Sequence, residues 1–274
     1  MEIHPASYKP TPAFYKMPWE NTLYMGVELE LEVPHGDKTK TIDKFDDFLT
    51  KIRRDKYIYA KSDSSLRNGV ELVTHPFTLR YAHEKINFTN IMDYILNKTT
   101  FYTGENTGLH VHLSKDFFTL YELKKMRAFF NINFAPYLQM FSLRGGRSGW
   151  GKCSDSWRPK DFLHRDMTEV ERIDRSNCLA ITNNTASTIE IRLFASTVNP
   201  DRFKAILQFC DAVSHFIKDV SLATILTDFK SWQQFIKWCS DQNQYFQFLD
   251  NYFQIAKGTY EEPRNRVEIR EQRR

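Results

Sequence analysis

Met25-Gly-Val-Glu-Leu-Glu-Leu-Glu-Val33 alternates without a fault. Met25, Val27, Leu29, Leu31 and Val33 fall on one side of an extended chain; Gly26, Glu28, Glu30 and Glu32 fall on the other. Period-two alternation marks a strand with one buried face. The second face carries three carboxylates and no Lys or Arg. Same-face neighbours on a strand lie ~6.5 Å apart, so ionised groups there repel unless water or a cation compensates. Two readings stand: a solvated outer strand, strained by the low strand propensity of Glu, or an acid face built to hold a metal.

Further strands repeat the design. Val70-Glu71-Leu72-Val73-Thr74 follows the turn signal Asn68-Gly69 and stops before Pro76. Gly108-Leu-His-Val-His-Leu-Ser114 sets Leu109, Val111 and Leu113 inward and His110 and His112 on the other face. Thr188-Ile-Glu-Ile-Arg-Leu-Phe194 sets Ile189, Ile191 and Leu193 inward, with Glu190, Arg192 and Phe194 facing out. Hard divalent cations such as Mg²⁺ favour carboxylate oxygens and substrate phosphates. Glu28, Glu30, Glu71 and Glu190 suit that role, and the added imidazoles also suit Mn²⁺. His110 and His112 are either ligands or hydrogen-bond donors to neighbouring Glu residues. Arg192 offers a donor fork for phosphate, or else a buried salt bridge to a neighbouring strand. Arg144-Gly-Gly-Arg147 resembles a flexible anion clamp without matching a P-loop. Asp63 and Ser65 read as solvated turn residues, with orientation of a substrate as the other possibility.

The 274 residues are long enough for a sizeable core, and 15% aromatic content argues for an ordered globular protein. No apolar run nears the ~20 residues of a membrane span, and the N-terminus lacks a signal pattern. A soluble, cytoplasmic protein with no membrane partner is expected. Cys153, Cys178, Cys210 and Cys239 are scattered without a CxxC pair, which fits reduced thiols and gives a zinc knuckle no support. A net charge of +4 permits an anionic nucleotide but makes no case for nucleic acid.

Interspersed strands and helices followed by helices predict an α+β chain. Residues 1–23, with Pro5, Pro10, Pro12 and Pro18, read as an irregular leader. Residues 24–274 read as one domain, with helices over 42–54 and 83–97. A lid or insertion is expected at 142–175, where periodicity fails, and a helical part from 200. Thr119-x-x-Glu122 and Ser231-x-x-Gln234 read as capping boxes, and Asn199-Pro200 as an N-cap with its first helical residue.

Four stretches in order resemble one family: Gly26-Val-Glu28-Leu-Glu30, Asp63-x-Ser65-Leu66 with Gly69-Val-Glu71-Leu-Val-Thr-His-Pro76, Thr107-Gly-Leu-His110-Val-His112, and Thr188-Ile-Glu190-Ile-Arg192-Leu-Phe194. They are similar to the amidoligases of the glutamine synthetase and glutamate–cysteine ligase superfamily. The likeness covers residues 24–199 and leaves the first 20 residues and the aromatic helices after about 220 unexplained. It implies a curved, largely antiparallel sheet backed by helices, like the glutamine synthetase and glutamate–cysteine ligase catalytic domain. It also implies ATP and Mg²⁺ as cofactors, and an acyl phosphate that an amine attacks to give an amide. The partners would be small-molecule or peptide carboxylates and amines. By the family pattern Glu28, Glu30, Glu71 and Glu190 would bind metal or the substrate amine. His110 and His112 would lie in the nucleotide–metal region, with His110 on metal. Glu30, Glu71 and Arg192 would carry catalysis, Arg192 by stabilising phosphate or acyl phosphate; apart from the resemblance, the clamp-like spacing of Arg144 and Arg147 makes them candidates to bind the nucleotide. Glu32 would be peripheral. A guanidino-type kinase on the same fold and a non-catalytic interaction protein on that scaffold are the alternatives.

Overall fold

The computed structural model describes residues 1–20, 23–104, 106–131, 181–182, 187–226, 228–242, 247 and 249–251. The chain is α+β. Its described residues fall in two compact units, one of Met1–Leu109 with Ser196–Lys204, the other drawn from His110–Ala195 and Ala205–Thr259.

In the first unit the strands β1 (Ile3–His4), β2 (Met25–Glu32), β3 (Ile58–Lys61) and β4 (Gly69–Thr74) run in the spatial order β1-β3-β4-β2. β4 is antiparallel to both β2 and β3, while β1 is parallel to β3. Two residues of the expected irregular leader therefore join the sheet, Ile3 opposite Ala60 and His4 opposite Lys61. A strand of two residues has too little alternation to show in a sequence. The register carries the period-two reading across the sheet. Leu29 faces Leu72, Leu31 faces Val70 and Ala60 faces Leu72, whereas Glu30 and Lys61 both face Glu71. One surface is thus aliphatic and the other charged. Burial makes β4 different from an outer strand, because all six of its residues are buried.

Helix α1 spans Lys38–Lys51 and buries Ile42, Phe45 and Leu49, the stripe expected of 42–54. It starts four residues earlier than that expectation and stops at Ile52, because Arg53 turns left-handed at φ 56°. The helix expected over 83–97 is broken. Thr78 caps a turn at Leu79–Tyr81, and a wider turn follows in which the Asn87 N–H reaches the Ala82 carbonyl five residues back. Asn87 then takes φ 57°, and α2 runs from Phe88 to Lys98 with Ile91, Met92 and Ile95 buried.

In the second unit β5 (Gly108–Ser114, its first two residues in the first unit), β6 (Ile181–Thr182) and β7 (Thr188–Ala195) run in the order β5-β7-β6. Helices α3 (Leu120–Asn131), α4 (Pro200–Asp219), α5 (Leu222–Leu226) and α6 (Asp228–Asp241) complete the described elements. The first capping box forms as read: Thr119 N–H donates to Glu122 Oε2 at 2.7 Å, and Glu122 N–H to Thr119 Oγ1 at 3.2 Å. Asn199 caps α4 by accepting from the Asp201 and Arg202 N–H groups, both at 3.0 Å. Ser231 does not open a helix, since α6 begins at Asp228. Phe129, Phe216 and Phe235 are fully buried and pack ring to edge, with Phe209 against Phe235. Phe194, read as outward, is instead buried against Phe209 with ring centroids 5.9 Å apart. Cys210 and Cys239 are free, buried thiols whose pKa values burial pushes up, so neither is primed as a nucleophile. Among the described residues no helix is long and apolar enough to cross a membrane.

Candidate metal centre

The centre lies on the charged surface of the first unit and is built by register. Glu30 stands opposite Glu71, and Lys61 stands opposite Glu71 from the other side. Residues so paired have Cβ atoms ~4.5–5.5 Å apart, so the three side chains share one rank. The neighbouring rank is Glu28, Val73 and Tyr59. The loop after β3 adds Asp63. Glu30, Asp63 and Glu71 each present a carboxylate oxygen, all within 4.8 Å of one another.

Asp63 is half-buried, but the two glutamates are not solvated surface charges. Glu30 is 5% exposed and Glu71 6%. Two unit charges ~5 Å apart repel by about 3 kcal/mol at an effective dielectric of ~20. Lys61 Nζ, 3.3 Å from Glu71 Oε2, offsets only part of this. The pKa of Glu71 is itself pushed up to about 8 by burial and the neighbouring Glu28, against the pull of Lys61. Glu28 thus disfavours the charged form of Glu71, which favours a proton on Glu71. Tyr59 responds to the same field: burial, then Glu28 and Glu71, push its phenol up to about 12, so it stays protonated.

Glu30 is fixed at both ends. Its Oε2 accepts the Gly108 N–H at 2.6 Å, and its carbonyl accepts from the Ser196 hydroxyl at 2.6 Å. Glu32 is buried but turned to another task. Its Oε1 accepts the Arg67 N–H at 3.0 Å and its Oε2 the Asn68 N–H at 2.9 Å. Among the described residues, Glu32 is absent from the groups suited to hold a metal.

No family model matches the chain, and no curated protein matches it. All three donors are carboxylate oxygens, which suits a hard cation such as Mg²⁺, Mn²⁺ or Ca²⁺ better than zinc. Ligand atoms on an octahedral ion at ~2.1 Å are ~3.0 Å apart when adjacent and ~4.2 Å apart when opposite. The trio is at most 4.8 Å apart, so side-chain adjustments of about an ångström would close it on such an ion.

The other expected site residues gather in the second unit. His110 Nδ1 lies 3.5 Å from Glu190 Oε1, and Arg192 Nη1 donates to that same oxygen at 2.5 Å. His110 and Glu190 are each 3% exposed, while the Arg192 side chain keeps 21%. Arg192 thus forms an ion pair within its own strand, with the residue two positions back. His112 Nδ1 lies 3.4 Å from Thr188 Oγ1, a long contact. Arg144, Arg147 and the expected lid at 142–175 lie outside the described residues.

Of the expected metal ligands, Glu30 and Glu71 come together in the first unit with Glu28 beside them, and His110 pairs with Glu190 in the second. Asp63 is the member that sequence reading placed in solvent. The signal for it was Asp63-x-Ser65, whose Asx turn appears as the Ser65 N–H donating to Asp63 Oδ1 at 2.7 Å.

Proposed function

We propose that the protein is a Mg²⁺- and ATP-dependent ligase that joins a carboxylate to an amine through an acyl phosphate. The observation that carries the proposal is the carboxylate trio of buried Glu30 and Glu71 with half-buried Asp63, with more negative than positive charge around it. Carboxylates at such density are destabilising unless a proton or a cation is held among them. The trio would hold the ion, with Mn²⁺ as an acceptable substitute. Bound there, a divalent ion would neutralise phosphate charge during phosphoryl transfer, a reaction that depends on positioning and charge stabilisation.

The chain's own groups do the rest in this reading. Glu71 retains its proton near neutral pH without metal and gives it up to ligate. Glu28, beside Glu71, would accept a proton from an incoming ammonium group. Arg192, held by Glu190, keeps part of its side chain exposed and would meet an anionic oxygen, and His110 orients the same carboxylate. A glutamine synthetase-like sheet belongs to the proposal, supported by mostly antiparallel pairing of Glu-bearing strands.

The test is ADP release from Mg-ATP with purified protein and pooled carboxylic acids and amines. The proposal expects ADP only when an acid and an amine are both present. Absence of ADP in every pool, with no heat of Mg-ATP binding, contradicts it. A phosphorylated product that persists when all amines are omitted points to a kinase instead.

A further inference from the structure

We infer that Glu32 is a positioning residue for the carboxylate trio, acting through the loop that carries Asp63; the inference rests on the metal-centre reading above. Residues 62–68 form that loop, between β3 and β4. Its end nearest β4 is held by Glu32, whose two carboxylate oxygens accept one backbone N–H each, from Arg67 and Asn68. Asn68 returns the contact, its Nδ2 donating to the Val33 and Pro34 carbonyls at 2.9 and 3.0 Å. At the other end the Ser62 N–H donates to the His4 carbonyl at 2.8 Å. Inside the loop Asp63 is set by two bonds, from Ser65 N–H to its Oδ1 and from Leu66 N–H to its carbonyl at 3.3 Å. Asp63 therefore reaches Glu30 and Glu71 from a loop pinned at both ends.

The chemistry of Glu32 is specific. Only a carboxylate presents two acceptors to two adjacent N–H groups. A Gln in its place turns an NH₂ toward one of them, leaving a donor facing a donor. An Asp keeps the charge but is one methylene shorter. The main chain of Glu32 is itself fixed by paired bonds with Tyr102, at 2.9 and 3.0 Å, so its side chain is aimed from a rigid base. Glycine at 69 completes the fit: a Cβ there would stand 2.3 Å from the Leu31 carbonyl. Such outer supports commonly govern metal affinity by ~10–100-fold.

The test titrates Mn²⁺ into wild type, Glu32→Gln, Asp63→Asn and the double variant by calorimetry, with amide exchange of Arg67 and Asn68 followed in parallel. Glu32→Gln should weaken Mn²⁺ by about tenfold or more and speed exchange of both amides. The double variant should bind no more weakly than Asp63→Asn alone, because Glu32 acts through Asp63. Wild-type affinity in Glu32→Gln, or losses that multiply in the double variant, overturns the inference while leaving the metal centre standing. Wild type that binds no Mn²⁺ removes the centre and the inference with it. Should Glu32→Gln fail to fold, Glu32→Asp replaces it, with the same loss expected.

Discussion

Glu30 and Glu71 stand directly opposite each other in adjacent antiparallel strands, and both are buried. Like charges opposite one another weaken a sheet. Here the pair is kept between Lys61, across from Glu71 on β3, and Asp63 two residues further on. Burial and the neighbouring Glu28 disfavour a charge on Glu71, a cost that a proton there relieves and a divalent cation would relieve further.

Stability of the metal-free protein should fall as pH rises from about 4.5 to about 8. The folded pKa of Glu71 is raised from 4.5 to about 8, so the folded state holds more protons than the unfolded state across that window. Its contribution is complete below the unfolded value and is lost as pH passes the folded one. Urea unfolding should show a decline of the order of a few kcal/mol. Glu71→Gln should flatten the curve. A variant profile parallel to wild type would contradict the assignment.

Binding of a divalent ion near pH 7 should release a proton, since Glu71 must ionise to ligate. Calorimetry in buffers of different ionisation enthalpy reads the number directly. The release should disappear in Glu71→Gln; an unchanged release would place the proton elsewhere.

Gly69→Ala should destabilise the first unit by ~2 kcal/mol or more. Its Cβ would lie 2.3 Å from a backbone oxygen, Leu31 O, and 2.9 Å from the Leu66 side chain, and backbone cannot retreat as a flexible side chain would. Denaturant midpoints check this, and a loss below ~0.5 kcal/mol would show that β4 shifts freely.

Arg192→Gln should cost about 2 kcal/mol of stability, less than the ~3–5 kcal/mol of a fully buried pair. The discount reflects the exposed part of the Arg192 side chain, while the 3%-exposed side chain of Glu190 would lose a charged donor. Unchanged stability would mean that Arg192 serves solely an external anion.

β2, β4 and β7 were legible because period-two alternation survives any tertiary detail, and the Thr119 box and Asn199 cap because they are local. What escaped was set by distant partners. Asp63 depends on a loop held from Glu32, 35 and 36 positions before the amides it grips, and Phe194 is buried by α4. β1 is too short to show a period, and the Ser231 motif matched a capping box that the earlier start of α6 leaves unused. Glu32 looked equal to Glu28 and Glu30 by spacing alone, the family pattern made it peripheral, and its two backbone donors give it a task of its own.

The most direct measurement is anomalous scattering from a crystal of the protein soaked with Mn²⁺. A peak within coordination distance of carboxylate oxygens from Glu30, Asp63 and Glu71 is the predicted result, lost in Glu30→Gln. A crystal that shows no peak at these residues at saturating Mn²⁺, or one whose peak lies at other groups, would contradict the account.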